Sequence, residues 1–222
     1  CNLTIWKSNL LRSVEIELSV KFSPPFANTF SVSCQAKTTP QKTNDINKMT
    51  KIEILPLDGI EIENIGKLSL GQSKSDIEKL LGKPSDSSNL KQLFFDQYEV
   101  RIDLGNNGNA EFIEFIYGPF PEKAELSIYG VNPFQIGADN LLEILTEKNN
   151  GKIDDSEAEY CYAFQNISLG VWRQITEKSV EDEIAEMKAN NEYEENKDWI
   201  NEDLNKAKNF WTIGIGVKNY YE

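Results

Sequence analysis

A short helix near residues 74–81 is the feature that most constrains the fold, because both of its ends are encoded in the sequence. Ser73 can cap the N-terminus, and Asp76 follows three residues later, as in a capping box. Gly82 stands where a helix closes with a left-handed residue, and Pro84 prevents continuation. Between these signals, one apolar stripe is formed by Ile77, Leu80 and Leu81. The segment therefore predicts a helix that buries one face.

Strand patterns surround this helix. Residues 52–60 and 65–68 are interpreted as a first strand and a turn, and a sheet is predicted to begin at 93–95. Residues 98–104 alternate apolar and polar side chains, as in a half-buried antiparallel strand with its charged side chains in solvent. The turn 105–109 leads to a partner strand, 110–117. Together these elements predict an α+β fold built on an antiparallel sheet.

The same order recurs less regularly in the second half. A helix is predicted over 139–148. It is followed by three predicted strands, at 160–164, 167–173 and 210–217. We therefore predict a single α+β domain, 49–222, made of two tandem helix-then-sheet units at about 65–129 and 130–222.

An acidic segment, 177–209, separates the last two predicted strands. It contains eleven acidic residues and five lysines, a net charge of −6. Helical apolar spacing is seen in two groups: Val180, Ile184 and Met187, then Trp199, Ile200, Leu204 and Ala207. We predict a helical hairpin with a corner at 190–196. Such a hairpin either covers one end of the sheet or presents its acidic outer face to a basic partner.

Composition lowers the expectation of catalysis. Histidine is absent, which removes the usual base of Ser-His and Cys-His nucleophiles and the commonest metal ligand. The three cysteines have no metal-like spacing, and Cys161 is expected to be a small buried side chain on a strand. No cofactor or metal site is predicted. Carboxylates, Lys, Tyr and Cys still leave an enzyme as an alternative.

The formal net charge of −13 is unevenly distributed. Residues 1–48 carry six basic and three acidic side chains, so the rest of the chain carries −16. Such a surface repels nucleic acid and steers basic proteins toward it, although charge runs are also ordinary solvated faces. No apolar run approaches the roughly 18 residues of a membrane-spanning helix, so no transmembrane segment is expected.

The chain begins with Cys1, and its composition changes at Met49. We expect residues 1–48 to be an accessory segment, a fusion or upstream reading frame, with an alternating pattern at 14–22 that favours an added strand. This interpretation implies a cytoplasmic protein. The alternative takes Cys1 as the lipid-bearing first residue of a cell-envelope lipoprotein with a scaffolding role.

Candidate chemical groups in the chain mostly have ordinary interpretations. The pairs Glu111 and Glu114, and Asp154 and Asp155, are interpreted as surface carboxylates rather than as an acid–base pair. Neither 154–157 nor 105–109 matches a calcium-loop spacing. Three glycines inside predicted strands indicate bulges or close packing rather than a phosphate loop: Gly170, Gly214 and Gly216. An aromatic surface for a protein partner could come from Tyr98, Tyr117, Tyr160, Trp172 and Trp211.

The element order resembles two related groups of proteins. The motif Leu-Gly-Gln-Ser at 70–73, running to Leu-Leu-Gly-Lys-Pro at 80–84 and then to hairpins, resembles β-lactamase inhibitory proteins and small outer-membrane assembly lipoproteins. The resemblance covers 65–117 well and 130–217 loosely, and the acidic segment departs from both groups. From Met49 onward the chain also resembles the acidic cytoplasmic immunity proteins of bacterial toxins.

These observations predict a bacterial, non-catalytic protein-binding module, either an immunity or an inhibitor protein. Its partner would be a protein, with a basic toxin the best match to the charge. The residues predicted to contact that partner are Glu181, Asp182, Glu186, Glu194, Glu195 and Trp172.

Overall fold

The structure is a computed structural model that describes residues 49–116 and 118–222. The predictions for residues 1–48, including the strand pattern at 14–22 and Cys1, and that for Tyr117 lie outside the described residues. Chain contacts group Met49–Glu222 into one compact unit. Its fold is α+β, as the sequence predicts, with helices and largely antiparallel sheets.

The four helices of the described residues are α1 (Lys74–Leu81), α2 (Ala138–Asn149), α3 (Glu177–Ala189) and α4 (Tyr193–Ala207). The first six strands are β1 (Thr50–Leu55), β2 (Gly59–Ile62), β3 (Gly66–Ser69), β4 (Gln92–Phe95), β5 (Val100–Leu104) and β6 (Ala110–Phe115). The remaining five are β7 (Ala124–Ser127), β8 (Ile153–Asp154), β9 (Cys161–Phe164), β10 (Leu169–Trp172) and β11 (Thr212–Gly216).

A four-stranded sheet has the order β3-β2-β1-β7. The prediction of one strand over 52–60 is wrong, because the chain turns at 56–58 and Asp58 N donates to Leu55 O (3.0 Å). Gly59 follows this turn with φ 147° and permits the close pairing of β2 with β3, since a Cβ there would lie 2.0 Å from Leu68 O. The predicted turn at 65–68 is largely strand β3. Strand β7, which pairs parallel to β1, was not predicted.

A seven-stranded sheet has the order β4-β5-β6-β11-β10-β9-β8, with every neighbouring pair antiparallel. The six strands predicted for this sheet all occur: β4 begins one residue earlier than predicted and the other five are shorter than predicted, while β8 was not predicted. One irregularity was not predicted: Asp103 pairs with Phe112 and Leu104 with Ala110, so Glu111 is an extra residue in β6. Such a bulge bends a strand locally.

One apolar core joins the two sheets and the first two helices. It includes Ile52 and Leu126 from the small sheet, Ile102 and Ile213 from the large sheet, and Leu141 from α2. Helix α1 contributes Ile77 and Leu81, as its stripe predicts, and the Ser73 side chain accepts from Asp76 N. Gly82 ends the helix, as predicted, but with φ 87° and ψ −164° it has an extended, glycine-type conformation in place of the predicted left-handed one. This core holds the large sheet with one face inward.

The opposite face of the large sheet is also covered, which corrects a prediction. Arg101 and Glu114 were expected at the surface, but they are 1% and 0% exposed. The three strand glycines lie on this face and confirm the expectation of close packing. A Cβ on Gly214 would meet the Phe112 ring at 2.3 Å, and a Cβ on Gly170 would meet the Tyr221 hydroxyl at the same distance. A Cβ on Gly216 would lie 2.4 Å from the Tyr220 ring.

Candidate functional site

The acidic segment folds into a helical hairpin made of α3 and α4. Thr176 and Ser179 form a reciprocal capping box at the start of α3, because each backbone N–H is bound by the other residue's hydroxyl. The corner comprises residues 190–192, with Asn191 at a φ of 62°. The predicted corner at 190–196 is therefore too long. Residues 193–196 form the first turn of α4, where Glu194 and Glu195 complement the helix dipole.

The hairpin has its own small apolar cluster, separate from the main core. Its buried members are Val180, Ile200 and Ala207, and five half-buried side chains pack against them: Ile175, Ile184, Met187, Tyr193 and Leu204. The apolar spacing of the sequence predicted most of this set. Because the cluster is small, it orients the two helices with respect to each other and leaves most of their surface exposed.

Arg173 ties the base of the hairpin to the sheet. This buried guanidinium donates from Nε to Glu159 O (2.6 Å) and from Nη1 to Ala207 O (3.1 Å). It also lies 5.3 Å from the centre of the Phe210 ring. The C-terminal carbonyl of a helix carries partial negative charge, so a buried cation is favourable there. The contact fixes where the hairpin leaves the sheet.

The five carboxylates predicted to contact a partner are all exposed on this hairpin. Glu181, Asp182 and Glu186 lie on α3, and Glu194 and Glu195 lie in the first turn of α4. Glu194 pairs with Lys197 (3.1 Å). Within residues 49–116 and 118–222, no Lys or Arg lies within ion-pair distance of the other four carboxylates. Their negative charge is therefore directed to solvent.

The aromatic residue chosen from the sequence is not on this exposed surface. Trp172 is 6% exposed and packs edge-on against Trp211, with ring centres 6.1 Å apart. Trp199, which the spacing placed on the apolar stripe of α4, is instead 44% exposed. Its indole N–H donates to Asn196 Oδ1 (3.0 Å). This bond orients the ring on the acidic hairpin, so Trp199 replaces Trp172 as the accessible aromatic side chain.

A second group of ionisable side chains lies on the covered face of the large sheet. Arg101 Nη2 lies 2.8 Å from Glu114 Oε2, and Arg101 Nε lies 3.1 Å from Asp103 Oδ1. Burial raises the pKa of Asp103, and the charge of Arg101 only partly offsets the rise. Burial lowers the pKa of Arg101, but the charges of Glu114 and Asp103 outweigh it, so the net shift is upward. The guanidinium therefore stays charged.

The C-terminal tyrosines pack against this group. Tyr220 stacks on Phe112 with ring centres 4.8 Å apart, and Tyr221 meets the same ring edge-on. Burial raises the pKa of both phenols, so neither supplies a phenolate near neutral pH. Neither Arg101 Nη1 nor the Tyr221 hydroxyl has a hydrogen-bond partner among the residues that the structure describes. A buried guanidinium flanked by two carboxylates under two aromatic rings supplies charge compensation rather than an accessible acid–base pair.

The other candidate groups remain dispersed. Asp154 accepts from Ser156 N (3.1 Å), and hydrogen bonds from Ser156 lower the pKa of the Asp154 carboxyl. Cys161 is buried on β9, as expected. Tyr98 and Trp211 are half-buried, and Tyr160 is 37% exposed. In the described ranges, no cluster of three or more acidic, Cys or His side chains could hold a metal ion.

A pocket of about 350 Å³ lies where α2 begins beside the hairpin base. Its lining is Gly137, Ala138, Asp139, Asn140, Glu177 and Lys208. Here Ala138 N donates to Lys208 O (2.8 Å), and Gly137 N donates to Asn209 Oδ1 (3.0 Å). The N–H of Ala138, the first residue of α2, and that of the preceding Gly137 are thus bonded within the chain.

Comparison of the chain with protein-family models, with curated proteins and with solved structures gives no match. The resemblance to inhibitory, assembly and immunity proteins therefore stays a prediction. Of the helices in the described part of the chain, none has the length and apolar character needed to cross a membrane.

Proposed function

We propose that the chain is a non-catalytic bacterial protein-binding module that docks a basic partner protein on its acidic helical hairpin. An immunity or inhibitor protein that neutralises a basic toxin is the specific form of this proposal. The observation that carries it is the set of exposed hairpin carboxylates, four of them without a cationic neighbour in the described residues.

The packing of the hairpin supports this proposal. Its apolar cluster and the Arg173 contacts hold both helices in one geometry, so the carboxylates are presented without a further cost in chain ordering. Trp199 adds a half-exposed ring among them, and tryptophan is enriched among residues that dominate binding energy. A basic surface would pair with the carboxylates while an apolar or cationic side chain covers the ring.

The experiment compares three forms of the full chain. The hairpin variant carries E181Q, D182N, E186Q, E194Q and E195Q. The control variant carries E53Q, E61Q, E125Q, E143Q and E147Q, which neutralises five exposed carboxylates on β1, β2, β7 and α2. Both variants change the net charge by the same amount. A partner is first cross-linked to the wild-type chain in its own host, identified by mass spectrometry and purified.

Calorimetric titration of that partner then decides the proposal. Exposed charge pairs contribute roughly 0.2–1 kcal/mol each, so the hairpin variant should lose about tenfold to a thousandfold in affinity. The control variant should bind like wild type at matched salt concentration, and W199A should weaken binding further. Stoichiometric wild-type chain should also block the partner's activity. Equal loss in both charge variants, or full binding by the hairpin variant, contradicts the proposal.

A further inference from the structure

The described residues contain two copies of the tripeptide Asn-Asn-Gly, at 106–108 and 149–151. Glycine puts little bulk around its backbone nitrogen, so that nitrogen can attack the side-chain carbonyl of the preceding asparagine. The structure surrounds the two copies in very different ways. The reactivity of the central asparagine can therefore be compared between the two copies within one molecule.

Asn107 lies in the exposed turn between β5 and β6. Its Oδ1 accepts a hydrogen bond from Asn109 N (3.0 Å), which folds the side chain back over the peptide that joins it to Gly108. The same bond withdraws electrons from the amide carbonyl and would stabilise negative charge on its oxygen during attack. Among the described residues, and apart from the two chain neighbours of Gly108, no atom lies within 4 Å of a Cβ built on this glycine, so there is room around it for the ring to form. Attack also requires Gly108 N to leave its turn bond to Gly105 O (2.9 Å).

The backbone of Asn150 is held by hydrogen bonds at both its N–H and its carbonyl oxygen, although the residue is exposed. It caps α2 in a left-handed conformation, with φ 41° and ψ 46°, and its N–H donates to Thr146 O (3.1 Å). Its carbonyl oxygen accepts from Asn166 Nδ2 (3.2 Å). The Asn166 side chain also covers Gly151, because a Cβ on that glycine would meet it at 2.0 Å. The peptide between Asn150 and Gly151 therefore has to break its contact with Asn166 before it can rotate toward attack, which should slow the reaction in the folded chain.

We propose that Asn107 is a self-modification site that deamidates in the folded protein, while Asn150 is protected. In the first step Gly108 N bonds to Asn107 Cγ, its proton passes by way of solvent to the side-chain nitrogen, and that nitrogen leaves as ammonia. Water then opens the resulting succinimide at either carbonyl carbon. The products are aspartate or isoaspartate at position 107, and no oxidant or reductant is needed.

The modification alters a turn that the helix α1 region contacts. Lys74 N donates to Gly108 O (3.3 Å), and Ala110 N donates to Gln72 O (2.8 Å). Isoaspartate lengthens the backbone by one carbon and shifts Gly108 relative to Lys74. Either product adds one negative charge to a chain that already carries −13. The β5–β6 turn would therefore change in both shape and charge as the protein ages.

The test is peptide mapping by mass spectrometry of the full chain after incubation in mildly alkaline buffer, native and in concentrated urea. In urea both tripeptides should convert at similar rates, which shows that the chemistry occurs at each. In the native protein only the Asn107 peptide should convert, and N107Q should abolish that conversion. Releasing Asn150 by N166A should make the Asn150 peptide reactive in the native state.

Three results would overturn the proposal. The first is an unmodified Asn107 in native protein under conditions that convert it in urea. The second is conversion of Asn150 at the rate of Asn107 in the native wild-type chain. The third is an N166A variant, folded by circular dichroism, in which Asn150 stays unreactive.

Discussion

At the scale of single residues, Arg101 and Glu114 form a pair of buried opposite charges in the large sheet, and each charge needs the other for compensation. Removing one partner of such a pair leaves an uncompensated buried charge, which typically costs 3–5 kcal/mol. Asp103 still contacts the guanidinium, so we expect E114Q to lower the free energy of unfolding by about 3 kcal/mol. Urea unfolding followed by fluorescence measures the change.

Two further variants separate charge from packing at this pair. The exposed E125Q should change stability by less than about 0.5 kcal/mol. The triple variant R101M/D103N/E114L removes all three charges of the cluster and should be more stable than E114Q, because no buried ion is left behind. A triple variant less stable than E114Q would show that the hydrogen bonds of the cluster outweigh its desolvation cost.

Asp103 should make stability depend on pH in a direction that its raised pKa fixes. A carboxyl with a higher pKa in the folded chain holds its proton more tightly there than in the unfolded chain. Its contribution is therefore fully present below the unfolded pKa and is lost as pH rises through the folded pKa. D103N cannot titrate at this position. The free energy of unfolding of wild type minus that of D103N should decrease from acidic to neutral pH.

Denaturation of both proteins over a series of pH values measures that difference. N-terminal and surface carboxylates are common to the two chains and cancel in the subtraction. A difference that instead increased with pH would mean that the Arg101 charge dominates and that the Asp103 pKa is lowered.

At the scale of elements, the strand glycines make room for the C-terminal tyrosines. G170A should lower the free energy of unfolding by about 1–3 kcal/mol, because its Cβ would lie 2.3 Å from the Tyr221 hydroxyl. Y221F removes a buried hydroxyl that has no hydrogen-bond partner in the described part of the chain, so it should be neutral or stabilising. In the double variant G170A/Y221F, the loss of unfolding free energy caused by G170A should be smaller than in the single variant. If the effects of the two substitutions simply add, the Tyr221 hydroxyl is not the source of the strain.

Local signals made several elements predictable. The ends of α1 follow from Ser73 and Gly82, whose capping roles depend on neighbouring residues alone. The apolar spacing of Val180 and Ile200 likewise identified the inner faces of the hairpin. Strand β7 was missed because its partner, β1, lies far away in sequence and pairs with it in parallel. Alternation along β5 identified two faces, but it cannot show that the charged face is covered as well.

The charge of the candidate surface could be predicted from the sequence, but its exposed aromatic side chain could not. Exposed carboxylates could be chosen from the acidic run, since the opposite helix faces were clearly apolar. Trp199 adjoins Ile200 in sequence, and neighbouring helical positions differ by about 100° in direction. A residue at the edge of the apolar face of a helix, such as Trp199, can therefore be buried or exposed, depending on what packs against it. Trp172 was misplaced for the converse reason, because both faces of β10 are buried.

At the scale of the whole described unit, stability should be unevenly distributed. Both sheets, α1 and α2 share one apolar core, whereas the hairpin depends on a cluster with three fully buried side chains and on the Arg173 contacts. Regions with few buried apolar contacts open at lower free energy than the global transition. We therefore expect native-state hydrogen exchange to show two levels of protection, with α3 and α4 below β5, β6 and β11.

The Arg173 contacts provide the variant that tests this division. R173K keeps the charge but loses the planar fork that reaches Glu159 O and Ala207 O together. R173K should accelerate hydrogen exchange in the hairpin by about fivefold to tenfold, because a lost hydrogen bond lowers the opening free energy by roughly 1 kcal/mol. The exchange rates of the β6 amides should not change. The matched variant K178R on the outer surface of α3 should alter neither region. If the hairpin and sheet amides of the wild-type chain are equally protected from hydrogen exchange, the unit instead opens in one step. The acidic surface then cannot separate from the core without global unfolding.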